Sequence, residues 1–305
     1  MHHPIAIRLT TLTKSYGSIQ ALRGIDLEVY EGEVFGFLGP NGAGKTTTIR
    51  CMLDLIRPSS GAIQVLGIDP QADPVAVRAR VGYLPGELRL DDNLTAEGMF
   101  RYLASLRGSN IEWGYVRQLA ERIDLNLKRP IKQFSKGNKQ KVGVVQALMH
   151  RPQLLLLDEP TSGLDPLVQQ ETLSLIREAR AGGATVFFSS HNLSEVQHIS
   201  ERVGIIRAGR VVEVAETSSL INRAIRRASV YFSQPTDASN LAALPGVTLI
   251  GQDEMHVQLQ VEGEMDRLIK ALATFPISDF ATERPSLEEV FLTYYEAEQM
   301  EVTQT

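Results

Sequence analysis

Cysteine is nearly missing from this chain: Cys51 is the only one among 305 residues. No internal disulfide can form, which points to a reducing compartment. Long apolar runs are missing too, none approaching the ~18–20 residues that span a bilayer. The opening MHHPIAIRLT lacks the apolar core of a signal peptide. A cytoplasmic chain is therefore expected, one that serves a membrane only through a partner. Nor is there a basic excess, since 31 Lys+Arg face 36 Asp+Glu for a formal net charge of −5. Nucleic-acid-binding proteins usually carry a basic field or stripe, so no nucleic-acid partner is expected. Repeats, low-complexity runs and sustained heptads are absent as well. What remains, 43% hydrophobic and 22% charged, suits a globular protein with one large and one smaller domain.

The first strong unit is EGEVFGFLGPNGAGKTTTIRCMLDLI. Its apolar strand, Val34 to Leu38, runs into a glycine-rich loop and then a helical pattern with Ile49, Met52, Leu53 and Ile56 on one face. Residues from about 87 to 150 read as a mostly helical subdomain. Thr95 is placed to cap a helix carrying Met99, Phe100, Leu103 and Leu106, which Gly108 stops. Strand–helix alternation then returns. Leu154 to Leu157 reads as a buried strand, Leu167 to Ala179 as a helix, and Ala184 to Phe188 as another strand. A short helix follows, with Asn192 and Glu195 at capping-box spacing. Val203 to Ile206 and Val211 to Val214 flank Ala208-Gly209, a hairpin signal. This pattern points to an α/β fold with a largely parallel sheet.

The character changes after about residue 218, giving expected domains of 1–218 and 219–305. Met255, Val257, Leu259 and Val261 alternate with polar residues as in a half-buried strand. Met265, Leu268, Ile269 and Leu272 repeat at helical spacing. So do Leu287, Val290, Phe291, Tyr294 and Tyr295, behind a capping box of Ser286 and Glu289. A small α+β domain is expected here. Arg223, Arg226 and Arg227 form the one basic cluster, either a solvated helix face or a contact for anionic headgroups at ~1 kcal/mol per residue.

Four motifs carry chemistry. GPNGAGKT, comprising Gly39, Pro40, Asn41, Gly42, Ala43, Gly44, Lys45 and Thr46, fits the phosphate-loop pattern between a strand and a helix. Its backbone N–H groups and the helix dipole suit phosphates. Lys45 suits β- and γ-phosphate oxygens, and Thr46 suits Mg²⁺. LLLLDEP ends a strand with two acids: Asp158 for Mg²⁺ and Glu159 for polarising an attacking water. His191 follows a strand at the sheet edge where open α/β sheets bind ligands, so it reads as either a γ-phosphate contact or a structural histidine. The octet FSKGNKQK precedes an apolar helix face of Val142, Val144, Val145, Leu148 and Met149. Lys139 and Lys141 in a first turn oppose the helix dipole by a few tenths of ~1 kcal/mol each. A bound anion would remove that conflict, making the octet a second phosphate grip. Solvated lysines are the alternative.

In this order GPNGAGKTT, FSKGNKQK, LLLLDEPTSGLDP and SSH resemble an ATP-binding-cassette (ABC) ATPase over about residues 5 to 215. The resemblance implies a P-loop NTPase fold: a RecA-like parallel sheet core with an antiparallel β subdomain and a helical subdomain. It also implies ATP as substrate, Mg²⁺ as cofactor, and a homodimer that sandwiches two ATP molecules. Ser135, Gly137 and Asn138 would then contact the partner's ATP. Asp165 would lie at the dimer seam, Tyr16 would stack on adenine, and Thr47 would extend the phosphate loop. An integral membrane permease is the implied partner, docking near residues 86 to 105, where Met99 and Phe100 are either contact or core. The chain would then be peripheral on the cytoplasmic face of the cell membrane. The ending SLEEVFLTYY resembles the extension of exporter-type ATPases.

Three positions depart from the family pattern. Lys136 and Asn138 replace a glycine and the glutamine of the usual LSGGQ. Gly86, in VGYLPGELRL, stands where the family normally has glutamine, leaving Glu87 as the nearest substitute on Mg²⁺ or the attacking water. A soluble ABC ATPase of repair or translation is the second reading, and an ATP-binding regulator the third. The short interval between phosphate loop and LLLLDEP, and the single cassette, disfavour the second. Lys45, Asp158 and Glu159 argue against the third.

Overall fold

The computed structural model describes residues 4–108, 111–223, 226–261 and 265–283. In chain order the first elements are β1 (Ile5–Tyr16), β2 (Ile19–Tyr30), β3 (Val34–Leu38), α1 (Lys45–Met52), β4 (Ser60–Val65), α2 (Pro74–Arg80), β5 (Val81–Leu84), α3 (Ala96–Arg107), α4 (Trp113–Arg122) and α5 (Lys136–Leu148). There follow β6 (Leu154–Asp158), α6 (Pro166–Ala181), β7 (Thr185–Ser190), α7 (Leu193–Ile199), β8 (Arg202–Arg207) and β9 (Arg210–Glu216). The last are α8 (Thr217–Arg223), β10 (Arg226–Phe232), β11 (Val247–Gln252), β12 (His256–Val261), α9 (Asp266–Leu272) and β13 (Ile277–Glu283). The chain divides into two units, Met1–Ala215 and Glu216–Thr305.

The first unit holds two sheets. One is antiparallel, in the order β2-β1-β4, and the other has six strands in the order β5-β6-β7-β3-β8-β9. The strands β5, β6, β7, β3 and β8 run parallel. β3, β6 and β7 are buried at every residue, as expected for strands covered on both faces. Phe187 stacks on Phe35 and meets Phe37 at a tilt. The tight turn at Ala208-Gly209 has φ of 45° and 79°, both positive as a two-residue hairpin requires. Strand order reverses beside β3, so the carboxyl ends of β3, β6 and β7 open onto one edge.

Helix ends follow local chemistry. Thr95 caps α3 by accepting from the Gly98 N–H at 3.0 Å, and Gly108 ends it at φ 60°. Asp165 caps α6 with Pro166 in its first turn. Not every apolar residue of α3 faces inward. Phe100 is fully buried and belongs to the core, whereas Leu106 is 65% exposed. The expected capping box of α7 is not formed: Asn192 caps through Ser194, and Glu195 turns elsewhere.

In the second unit the sheet order is β11-β12-β10-β13, all antiparallel. Val257, Leu259 and Val261 face its core with Leu268 and Leu272. Met255 and Ile269 do not join them, being 41% and 53% exposed. The expected helix face of Arg223, Arg226 and Arg227 is a correction, because α8 stops at Arg223 and the other two open β10. Pairing of Arg226 with Val261 draws that segment into the sheet, a non-local force that no local pattern displays. The expected helix through Leu287 and Tyr295 lies outside the described residues.

One partly buried titratable group makes stability pH-dependent. His150, just past α5, places Nε2 3.3 Å from the Val81 carbonyl, while its buried Nδ1 has no hydrogen-bond partner among the described residues. Burial, then the Arg107 charge, pushes its pKa down to about 4 from 6.5. The unfolded chain therefore binds the extra proton between those values, and stability falls as pH drops through that window. Replacing His150 with Gln is expected to flatten the loss by up to about 1.4 kcal/mol per pH unit. Chemical denaturation of both proteins at pH 7, 6 and 5 checks it, and parallel curves would refute it.

Candidate active site

The phosphate loop takes its shape from glycines with positive φ: Gly42 at 81° and Gly44 at 113°. Any other residue at Gly44 would also bring a Cβ within 2.8 Å of Leu22. Lys45, opening α1, is 6% exposed. Its ammonium donates to the Gly39 and Pro40 carbonyls at 2.5 and 3.3 Å and lies 3.4 Å from Glu159 Oε1. Thr46 Oγ1 donates to Asp158 Oδ2 at 2.7 Å, and Ser189 Oγ donates to Oδ1 of the same carboxylate. Register explains this second bond, since Asp158 lies directly beside Ser189 across β6 and β7. Ser189 was not singled out as a site residue from sequence, although it stands two positions before His191.

Glu159 follows β6 in the left-handed region at φ 54°. For a non-glycine residue that conformation costs ~1–3 kcal/mol and persists only when neighbours impose it. Here the Glu159 N–H donates to the Ser189 carbonyl at 3.2 Å, and Oε2 meets His191 Nδ1 at 2.5 Å. With Nδ1–H given to the carboxylate, the outer imidazole nitrogen is left for another partner.

These residues line one cleft of about 620 Å³. Its walls include Tyr16, Pro40, Asn41, Gly42, Gly44, Lys45, Thr46, Thr47, Glu87, Asp158, Glu159 and His191, with Ala21, Arg50, Gly86 and Ser162 completing them. Tyr16 is 46% exposed, with the Lys14 ammonium 5.0 Å from its ring centre. Gly39 and Ala43 support the loop from behind, Ala43 being buried. Gly86 approaches so closely that a Cβ there would stand 2.9 Å from Asp158 Oδ2. The loop thus brings backbone, rather than a glutamine side chain, to the carboxylate. Glu87 beside it is exposed.

Ser135, Gly137, Asn138 and Asp165 are not in this cleft. Ser135 caps α5, accepting from the Asn138 N–H at 3.2 Å. Gly137 has a steric reason to be glycine, because a Cβ would strike the Gly163 carbonyl oxygen. Lys139 and Lys141 need no anion. Lys139 pairs with Asp92 at 2.8 Å, and Lys141, 7% exposed, donates to the Asp124 carbonyl at 3.1 Å. The dipole conflict read from their spacing is met inside the chain.

Among the described residues no cluster of three His, Cys, Asp or Glu side chains would hold a metal unaided. Thr46 and Asp158 nevertheless offer two hard oxygen donors side by side, and among the described residues the fully buried Asp158 has hydroxyl partners only. That donor set fits Mg²⁺ completing its shell with phosphate and water.

Similarity to known proteins agrees with this geometry. Residues 22–162 match the ABC transporter family model, and residues 218–295 match that of the ATP-binding protein DrrA1-3-like, C-terminal domain. The chain belongs to the ABC transporter ATP-binding proteins, a family of ATPases. It is 34% identical to the daunorubicin resistance ATP-binding protein DrrA3 of Streptomyces coeruleorubidus, over 94% of this chain and 95% of that one. It is 39% identical to the bacitracin transport ATP-binding protein BcrA of Bacillus licheniformis, over 68% of each. A solved ATP-binding subunit of an ABC transporter superposes with a TM-score of 0.65 at 32% identity, covering 70% of this chain and 91% of that one. The fold is shared with a dimeric ATP-binding cassette in a post-hydrolysis state bound to ADP and Pi, at a TM-score of 0.63 and 24% identity, over 69% and 98%. No helix among the described residues is long and apolar enough to cross a membrane.

Proposed function

We propose that this chain is the ATP-hydrolysing subunit of an exporter, working as a homodimer on a separately encoded membrane permease. The observation that carries the reading is the meeting of Lys45, Thr46, Asp158, Glu159 and His191 in one cleft that Ser135 to Asn138 and Asp165 do not enter. A second copy supplies those missing groups across an ATP sandwich. Relatives named for daunorubicin resistance and bacitracin transport support export, as does the match over residues 218–295.

Residue roles follow from the contacts. Lys45 moves its ammonium from the loop carbonyls to β- and γ-phosphate oxygens, and Tyr16 stacks on adenine. Departure of that ammonium leaves Glu159 Oε1 for the attacking water, while His191 holds Oε2 and keeps the carboxylate aimed. His191 presents its outer nitrogen to the γ-phosphate. Thr46 and Asp158 would hold Mg²⁺, with Glu87 beside it, and that ion supplies charge neutralisation at the phosphates. The permease docks over residues 86 to 105 and holds the chain at the cytoplasmic membrane face.

Pull-down of the tagged chain from detergent-solubilised membranes tests the assignment. A multispanning membrane protein released by ATP-site variants less than by loss of residues 86 to 105 is expected. Ribosomes or DNA in the eluate, with no membrane protein, would overturn it.

A further inference from the structure

A carboxylate outside the cleft's chemistry lies beneath it. Glu195, on α7, is only 8% exposed. Its Oε1 accepts from Thr161 Oγ1 at 2.6 Å and from Asn192 Nδ2 at 3.3 Å, and its Oε2 accepts from Ser190 Oγ at 2.9 Å. These partners are two hydroxyls and an amide, and among the described residues no cation pairs with it. A buried carboxylate without a counter-ion is tolerated only when its lone pairs are met by well-placed donors, so the donors are held as firmly as the acid. Thr161 stands two residues after Glu159, and Ser190 stands one before His191. One side chain therefore ties the exit of β6 to the exit of β7, the two segments that meet in the 2.5 Å contact between Glu159 and His191.

A second buried polar group grips the same segment from the other side. Gln140 of α5, 6% exposed, donates Nε2 to the Glu159 and Pro160 carbonyls at 3.0 and 3.1 Å. Glu159 holds a left-handed backbone at φ 54°, which needs such support. Gln140 lies five residues beyond Ser135, the cap of the same helix. The segment Ser135 to Asn138 and the general base are thus joined within one copy.

We propose that Glu195 is a positioning residue for ATP hydrolysis. Through Thr161 and Ser190 it fixes where Glu159 and His191 stand relative to each other, and Gln140 completes the clamp. This rests on the ATPase reading above.

Steady-state ATP hydrolysis by the purified full chain, with nucleotide affinity measured separately, tests it. Thr161→Val removes one hydroxyl at nearly constant shape. It is expected to lower kcat about tenfold with ATP affinity changed less than about twofold, because misplacement of catalytic groups acts on the chemical step. Glu195→Ala is expected to do the same or more. Glu195→Gln, able to accept from Thr161 and donate to Ser190, recovers most of the rate. A Thr161→Val chain with wild-type kcat overturns the proposal, even if Glu195→Ala does not fold. So does a Glu195→Gln variant as slow as Glu195→Ala. Binding of ATP without turnover by the unmodified chain would instead sink the ATPase reading itself.

Discussion

Turnover by the Glu159→Gln variant is expected to fall about a hundredfold or more, the scale of a lost general base. ATP binding should survive, because the phosphate loop, Thr46 and Asp158 are untouched. The substitution keeps the shape of a side chain that sits 20% exposed between His191 and Lys45. What it removes is the charge that orients water and accepts a proton. An amide also removes the ion pair with Lys45, freeing the ammonium for phosphate. ATP is then retained uncleaved, and the variant should run as a dimer on a sizing column with MgATP while the parent chain returns to monomer. Unchanged turnover would remove Glu159 from the base role, and a monomer under saturating ATP would argue against the sandwich.

The Lys45→Ala variant is expected to fail earlier, at binding. A charged hydrogen bond to phosphate is worth ~1.5–3 kcal/mol, so losing the ammonium weakens ATP by roughly a hundredfold. Ligand at a hundred times its Kd stabilises a fold by about 2.7 kcal/mol, and nearly all of that should vanish at the same concentration. Thermal melting with and without MgATP reads this directly. The melting temperature without nucleotide should stay near that of the parent chain, since among the described residues Lys45 bonds only to carbonyls of its own loop and to Glu159. A full nucleotide-induced shift in the variant would refute the role.

These two residues were legible in sequence for a physical reason. A glycine-rich turn between a buried strand and an apolar-faced helix is a local object, complete in about twenty residues. The same holds for two acids ending a fully buried strand, for the Ala208-Gly209 hairpin, and for the Thr95 cap. The fold class followed from those alternating units, as similarity to solved cassettes shows.

Errors arose where partners come from far along the chain. Arg226 and Arg227 looked helical beside Asn222 and Arg223, yet β12 and β13 pair with that segment and extend it. Lys139 and Lys141 read as a dipole conflict for an anion to relieve, or as solvated side chains, because Asp92 and the Asp124 carbonyl, 47 and 17 residues away, do not appear in their neighbourhood. Glu195 looked like a capping-box acid for want of any sign that Thr161 would stand beneath it.

By itself, then, the order of residues determined the phosphate loop, the acidic strand end and the parallel α/β class. Spacing within a few turns or one strand encodes each of these. Tertiary structure alone decided that Ser189 grips Asp158, that Gly86 lies close against the same carboxylate, and that Glu195 ties two strand exits together. Such contacts join segments about 30 to 70 residues apart, and they exist only once the sheet's register has set those strand ends side by side.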